Sequence, residues 1–249
     1  WETGTNFLLI AVPLFVFMGQ LVYHTEIASD LYDFVHKWFG RLPGGLAVTG
    51  VFTSAGFGAV TGSSVAAIAT MGIMVMPEMK KYKYNLRLAT GSLASAGTLA
   101  IMIPPSIPMV IYGVWTETSI GKLFIAGIVP GILTAIVFSI MIFVRAKRNP
   151  TIAPKGESFS WNERFRSLWK VWGILSLFLL VVGGIFLGWF TPTEGAGIGA
   201  FGSFILLFAL RKMSMKVLAA TLDGSIRLVG MIVLILVGAS VFAQFIAIT

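Results

Sequence analysis

The chain has 249 residues, of which 57% are hydrophobic and only 11% are charged. A soluble domain holds about 45–50% apolar residues, and a soluble fold of this composition would expose far too much apolar surface. The absence of Cys excludes disulfides, thiolate metal sites and a Cys nucleophile.

Apolar runs close to the roughly 20 residues that cross a bilayer recur along the whole length. The fold class expected is therefore an all-α polytopic membrane protein. The chain opens WETGTNFLL, with no Met and no secretory n-region, and closes inside the apolar run VFAQFIAIT. We expect it to be a piece of a longer protein.

In chain order, residues 5–23 read as a span and 25–42 as an amphipathic surface helix. Residues 44–77 form a Gly-rich apolar pair, and 87–115 a span broken by Pro104, Pro105 and Pro108. Further spans are expected at 121–144, 168–190, 195–210 and 227–249, with a hydrophilic loop at 145–166 and a second interfacial helix at 212–226. These group into four units: 1–43, a scaffold span and arm helix; 44–120, half of a transport domain; 121–210, further spans; and 211–249, the start of a second repeat.

The net charge of +8 is a topology signal. Lys37 and Arg41 precede the Gly-rich pair, and Lys80, Lys81, Lys83 and Arg87 follow it. Arg145, Lys147, Arg148, Lys155, Arg164, Arg166 and Lys170 lie in or beside the long loop, and Arg211, Lys212, Lys216 and Arg227 flank the last span. Of the 18 basic residues only Lys122 stands apart. By the positive-inside rule the rest are cytoplasmic, which argues for a lipid bilayer and against nucleic acid as the partner.

Basic residues on both sides of 44–77 make that segment enter and leave by one face. Its arms, 44–60 and 65–77, would reach roughly 20–25 Å, short of a hydrocarbon core about 30 Å thick. A re-entrant helical hairpin results, with its tip at Thr61, Gly62, Ser63 and Ser64. Two full spans are the alternative. Non-helical backbone at this depth is tolerated when it is buried in protein or lines a watery cavity. Plain helix–helix packing also uses small polar residues.

In the broken span, Pro104, Pro105 and Pro108 cannot donate to carbonyls four residues earlier, which frees those of Ala100, Ile101 and Pro104. Residues before Pro also avoid helical backbone, here Ile103, Pro104 and Ile107. Two half-helices are expected, about 88–102 and 109–115. The free carbonyls and the hydroxyls of Thr98 and Ser106 are hard oxygen ligands that suit a small cation such as Na⁺. The half-helix start near Pro108 would face an anion. A simple proline kink is the competing reading.

Glu194 in TPTEGAG permits a proton relay. Its spacing from Thr191 and Pro192 favours a capping box. His24 and His36 lack metal-ligand spacing. Several Trp residues, Trp38, Trp115, Trp161, Trp169 and Trp189, fall near the expected interfaces. No phosphate-binding loop and no nucleophile–His–acid set appears, so neither ATP drive nor an enzyme is indicated.

The segments FGAVTGSSVAAIATMG, GTLAIMIPPSIPMVIYG, SIGKLFIAGIVPG and TPTEGAGIGA follow one another in an order that resembles the large membrane subunit of TRAP (tripartite ATP-independent periplasmic) transporters. The chain is similar to the first of that family's two inverted repeats and the start of the second. The resemblance implies a multi-pass protein of the bacterial inner membrane that imports organic acids such as C4-dicarboxylates or sialic acid by Na⁺ symport. It implies two partners, a small transmembrane subunit and a periplasmic substrate-binding protein, and an elevator motion of hairpin and broken helix against a scaffold. Carried over by motif, Thr61, Gly62, Ser63 and Ser64 would form the hairpin tip, and Gly97, Thr98, Pro104, Pro105 and Ser106 the break opposite it, with Na⁺ between them. Substrate would lie near Ser63, Ser64, Ser106 and Pro108. A dicarboxylate or citrate carrier that needs no binding protein, and a membrane scaffold or enzyme subunit without transport, remain as alternatives.

Overall fold

The computed structural model of the protein describes residues 7–25 and 27–248. Residues 5 and 6 of the first expected span, Glu26 of the expected surface helix and Thr249 of the last span lie outside the described residues, as does most of the WETGTNFLL opening.

After a 3₁₀ turn at Phe7–Ile10, helix α1 runs Ala11–Tyr23. Helix α2, Ile27–Phe39, has the expected amphipathic pattern. Ile27, Ala28, Leu31, Tyr32 and Val35 are buried, and Phe39 stacks on Phe52 of the next helix at 4.6 Å. The polar face of α2 carries Asp30 and Asp33. Asp33 pairs with Lys37 and Lys170, and Asp30 pairs with Lys212 at 2.9 Å. The arm thus joins the Gly-rich pair to two later connections. Burial raises the Asp33 carboxyl, but the ammonium groups of Lys37 and Lys170 outweigh it and hold the carboxyl below its usual range.

The Gly-rich segment forms a hairpin of α3, Gly45–Thr61, and α4, Ser64–Lys81. At 1.5 Å per residue the arms reach about 25–27 Å, a little longer than expected and still short of a bilayer core. Helix α5, Leu86–Gly97, continues into the short α6, Leu99–Met102, and after the break α7 runs Ile107–Trp115. The two halves are bent by 46°. The second half starts two residues earlier than the prolines suggest. Pro108 sits in its first turn, where a missing N–H costs nothing because those N–H groups have no intrahelical partner.

Helix α8, Ile120–Arg148, is long and apolar enough to cross a membrane and carries Pro130 inside it. Three expectations change beyond it. The loop expected at 145–166 contains a helix, α9, at Trp161–Leu168. A capping box nucleates it, with Ser160 as N-cap and Glu163 reaching back to the Ser160 N–H. The span expected at 168–190 is α10, Trp172–Phe178, which passes through a π-helical stretch at Leu179–Gly183 into α11, Gly184–Phe186. It is bent 48° from α9. Helix α12 is Pro192–Ala209 and α13 is Met215–Ile248. Residues 215–226 of the interfacial helix expected at 212–226 are the first part of one continuous helix, which no Pro interrupts and which runs on through Thr221, Asp223, Gly224 and Ser225.

Two apolar cores result. One gathers α1, α2, α7, α10, α12 and the start of α8 around Phe15, Met18, Leu21 and Phe124. The other gathers α3, α4, α5 and α8 around Leu46, Met71, Val75 and Ile142. The residues flanking the hairpin tip, Val60, Ala66 and Ala67, belong to the first core.

Candidate functional site

The hairpin turns on Gly62, whose φ of 60° lies in the left-handed region that side chains rarely adopt. Its N–H closes α3 on the Gly58 carbonyl at 2.8 Å. Ser63 is the N-cap of α4, and its hydroxyl accepts from the Ala66 N–H at 3.3 Å. Of the expected tip residues, Thr61 ends α3 and Ser64 begins α4, so the non-helical turn is only Gly62 and Ser63. The Thr61 hydroxyl is buried and donates to the Phe57 carbonyl at 3.1 Å.

The break spans Ile103 to Ser106, with a cis bond between Pro104 and Pro105. Pro104, Pro105 and Ser106 are buried, while Pro108 is exposed. Ser106 is fully buried. It donates its hydroxyl proton to the Ile101 carbonyl at 2.7 Å and caps α7 through a weak 3.5 Å contact from the Met109 N–H. Pro105 removes the N–H that Ile101 would otherwise accept, so Ser106 replaces it. Thr98 is exposed, and its hydroxyl donates to the Ser95 carbonyl at 2.7 Å.

Tip and break meet directly. A Cβ on Gly62 would lie 2.7 Å from the Pro105 carbonyl oxygen and 3.3 Å from the Ile107 nitrogen. One on Gly97 would lie 2.1 Å from Ile68 and 3.5 Å from the Ser64 carbonyl oxygen. One on Gly58 would reach the Ala100 backbone at 2.2 Å. These approaches need residues without side chains. Of the expected site residues, the structure joins Gly62 to Pro105 and Ser64 to Gly97, and leaves the Thr98 hydroxyl on an outer face.

Beside the tip is a cavity of about 10 Å³, lined by Val16, Gly19, Gln20, Thr61, Ser63, Ala66, Ile107 and Leu228. That is close to the space of one water or small ion. Gln20 of α1 was not anticipated from the sequence, although a lone amide in the apolar run FVFMGQLVY was its available signal. The packing of Gly19 against Thr61, where a Cβ would meet backbone at 2.8 Å, was equally invisible.

The donor set fits a small hard monovalent cation. Thr61 and Ser106 each send their proton into a backbone carbonyl, which leaves their oxygens with lone pairs to offer, whereas the Thr98 hydroxyl, turned outward, contributes none here. No cluster of three or more His, Cys, Asp or Glu occurs among the described residues, so the oxygens here are neutral ones.

At the basic ends of α2 and the hairpin, Tyr32 donates to the carboxylate of Glu78, Tyr82 donates to Glu157 at 2.6 Å and Tyr84 donates to the Pro154 carbonyl at 2.9 Å. Burial and the Glu78 carboxylate raise the Tyr32 hydroxyl far above its ordinary range. His36 stacks on Tyr32 at 5.6 Å and meets Phe159 edge-on at 5.4 Å. Burial lowers its imidazole, against weaker upward pulls from Glu78, Glu157 and Asp33. At the far side, Thr191 and Glu194 complete a capping box on α12.

Spans of this length, a helical hairpin and a proline-broken helix seated on its tip define a polytopic helical membrane protein of the kind that holds small solutes at backbone breaks. The family model for the tripartite ATP-independent periplasmic transporter, DctM component, matches residues 1–249, and the chain belongs to that family. It is 37% identical over 247 residues to the C4-dicarboxylate TRAP transporter large permease protein DctM of Pseudomonas aeruginosa, covering 98% of this chain and 57% of that protein. It is 37% identical to the ectoine/5-hydroxyectoine TRAP transporter large permease protein UehC of Ruegeria pomeroyi, over 93% of this chain and 54% of that one. It is 32% identical to the sialic acid TRAP transporter large permease protein SiaM of Vibrio cholerae, over 97% and 56%. The chain thus spans a little over half the length of these three relatives. As a member of this family it is a multi-pass membrane protein, with several helices long and apolar enough to cross a bilayer.

Proposed function

We propose that the chain forms part of the large permease of a Na⁺-coupled secondary importer of organic acids, in the class of C4-dicarboxylates and sialic acid. The observation that carries this reading is the seating of the Gly62 tip on the Pro105 carbonyl, beside a cavity the size of one ion. Relatives named for dicarboxylate, ectoine and sialic acid support a small polar solute as cargo.

In this reading Na⁺ lies between Thr61, Gly62, Ser63 and Ser64 on the hairpin and Gly97, Thr98, Pro104, Pro105 and Ser106 on the break. Carbonyls and hydroxyl lone pairs supply the ligands. A bound cation would hold tip and break together and so set the substrate surface near Ser63, Ser64, Ser106 and Pro108. The carboxylate substrate would face helix starts at Ser63 and Ser106, where unpaired N–H groups favour negative charge. A periplasmic binding protein would deliver it, and a small transmembrane subunit would brace the scaffold. Hairpin and broken helix would move as one elevator unit, tied to the scaffold by α2.

The test is uptake by the complete transporter in proteoliposomes. Uptake of a C4-dicarboxylate or sialic acid that requires both an inward Na⁺ gradient and the binding protein supports the proposal. Uptake without the binding protein favours a dicarboxylate or citrate carrier, and no uptake of either favours a scaffold.

A further inference from the structure

We propose that α9 is an interfacial anchor that binds anionic phospholipid headgroups at the cytoplasmic leaflet. The helix leaves the axis of the following span by 48°, so it does not continue across the bilayer. Trp161, Phe165 and Leu168 recur at the i, i+4 and i+7 spacing of one helix face and are 66%, 56% and 41% exposed. Trp169, at the bend, is 80% exposed. That much contiguous aromatic surface in water is unfavourable. Aromatic rings with a polar N–H are instead at home at headgroup level.

The inner side of α9 is marked by Ser167, which is fully buried. The Trp38 ring of α2 touches the edges of Trp161 at 6.4 Å and Phe165 at 6.1 Å and leaves both rings more than half exposed. Beyond that edge contact, Trp161, Phe165 and Trp169 keep most of their surface uncovered among the described residues. The flanks of this face choose the occupant. Arg164 lies 4.9 Å over the Trp161 ring, and its Nε is buried with no partner. Neither Arg164 nor Arg166 has a carboxylate partner among the described residues. The acid on the helix, Glu163, is committed to the capping box. Two guanidinium groups beside an exposed aromatic face match a phosphodiester at the depth where the rings end. The basic ends of α8 and α2, with Arg145, Lys147, Arg148 and Lys37, place this helix on the basic side of the chain. A protein partner on this face would need carboxylates to meet the same two cations; the bilayer supplies phosphates at the required depth without one.

The chain has no Cys, so single-Cys labelling is clean. Phe165→Cys and, separately, Trp169→Cys would carry an environment-sensitive fluorophore, with Lys155→Cys as the loop control, in phosphatidylcholine vesicles containing brominated phosphatidylglycerol or brominated phosphatidylcholine. Strong quenching at positions 165 and 169, weak quenching at 155, and a preference for the anionic lipid are expected. Arg164→Gln and Arg166→Gln should each lower that preference about fivefold. No quenching at either helix position, equal quenching by both lipids, or loss of quenching when the small transmembrane subunit is added would overturn the proposal, the last by showing a protein-covered face.

Discussion

Ser106→Ala tests how the broken helix holds together. The Ser106 side chain is fully buried and makes two contacts, a 2.7 Å donation to the Ile101 carbonyl and the cap on Met109. Removing the cap costs about 1 kcal/mol. Stranding the Ile101 carbonyl adds roughly 1–3 kcal/mol, because Pro105 has no N–H to take over. The expected loss is therefore about 2–4 kcal/mol, measured by equilibrium denaturant unfolding of the detergent-solubilised protein without Na⁺. If Ser106 also ligates Na⁺, the added stability from the cation should shrink in the variant as well, since that term grows with the ratio of concentration to dissociation constant. A loss below about 0.5 kcal/mol, the ordinary effect of a surface substitution, would show that the hydroxyl does not sustain the break.

Two glycines should respond with opposite sign to the same substitution. Gly58→Ala drives a Cβ into the Ala100 backbone and should destabilise by about 1–3 kcal/mol before a helix-propensity gain of about 1 kcal/mol. Gly91→Ala has open space around it and should stabilise by about 1 kcal/mol, so that thermal unfolding ranks Gly91→Ala above the parent protein and Gly58→Ala below. Acid should weaken the α2–hairpin junction through His36. Burial holds its folded-state imidazole below the ordinary value of about 6.5, so the unfolded chain binds the proton first. Stability is then full above about pH 6.5 and falls as pH drops from there towards the lowered value. His36→Phe should flatten that slope in unfolding curves between about pH 5 and 7, and an unchanged slope would remove His36 from the account.

Most of what was legible in the sequence was local. Proline chemistry alone places the break, because a missing N–H and a ring clash act within four residues. The left-handed turn at Gly62 and the Thr191–Glu194 capping box follow from side chains a few positions apart. Helix α9 was hidden because its eight residues carry no long apolar run. The Ser160–Glu163 spacing was the signal that marked its start.

Composition, charge placement and punctuation by proline and glycine thus determined the class of protein, the helical hairpin and the broken helix. Only the tertiary structure decided what those pieces touch. It set Gly62 on Pro105, packed Gly97 under Ile68, turned Thr98 outward and brought Gln20 to the tip. It also gave the Ser106 proton to Ile101 rather than leaving that carbonyl free. Each depends on contacts between residues that are distant in sequence or on which way a helix rotates, and local sterics set neither. The stretch that breaks the helix is written in its prolines, while the oxygens that remain available there follow from how the hairpin packs against it.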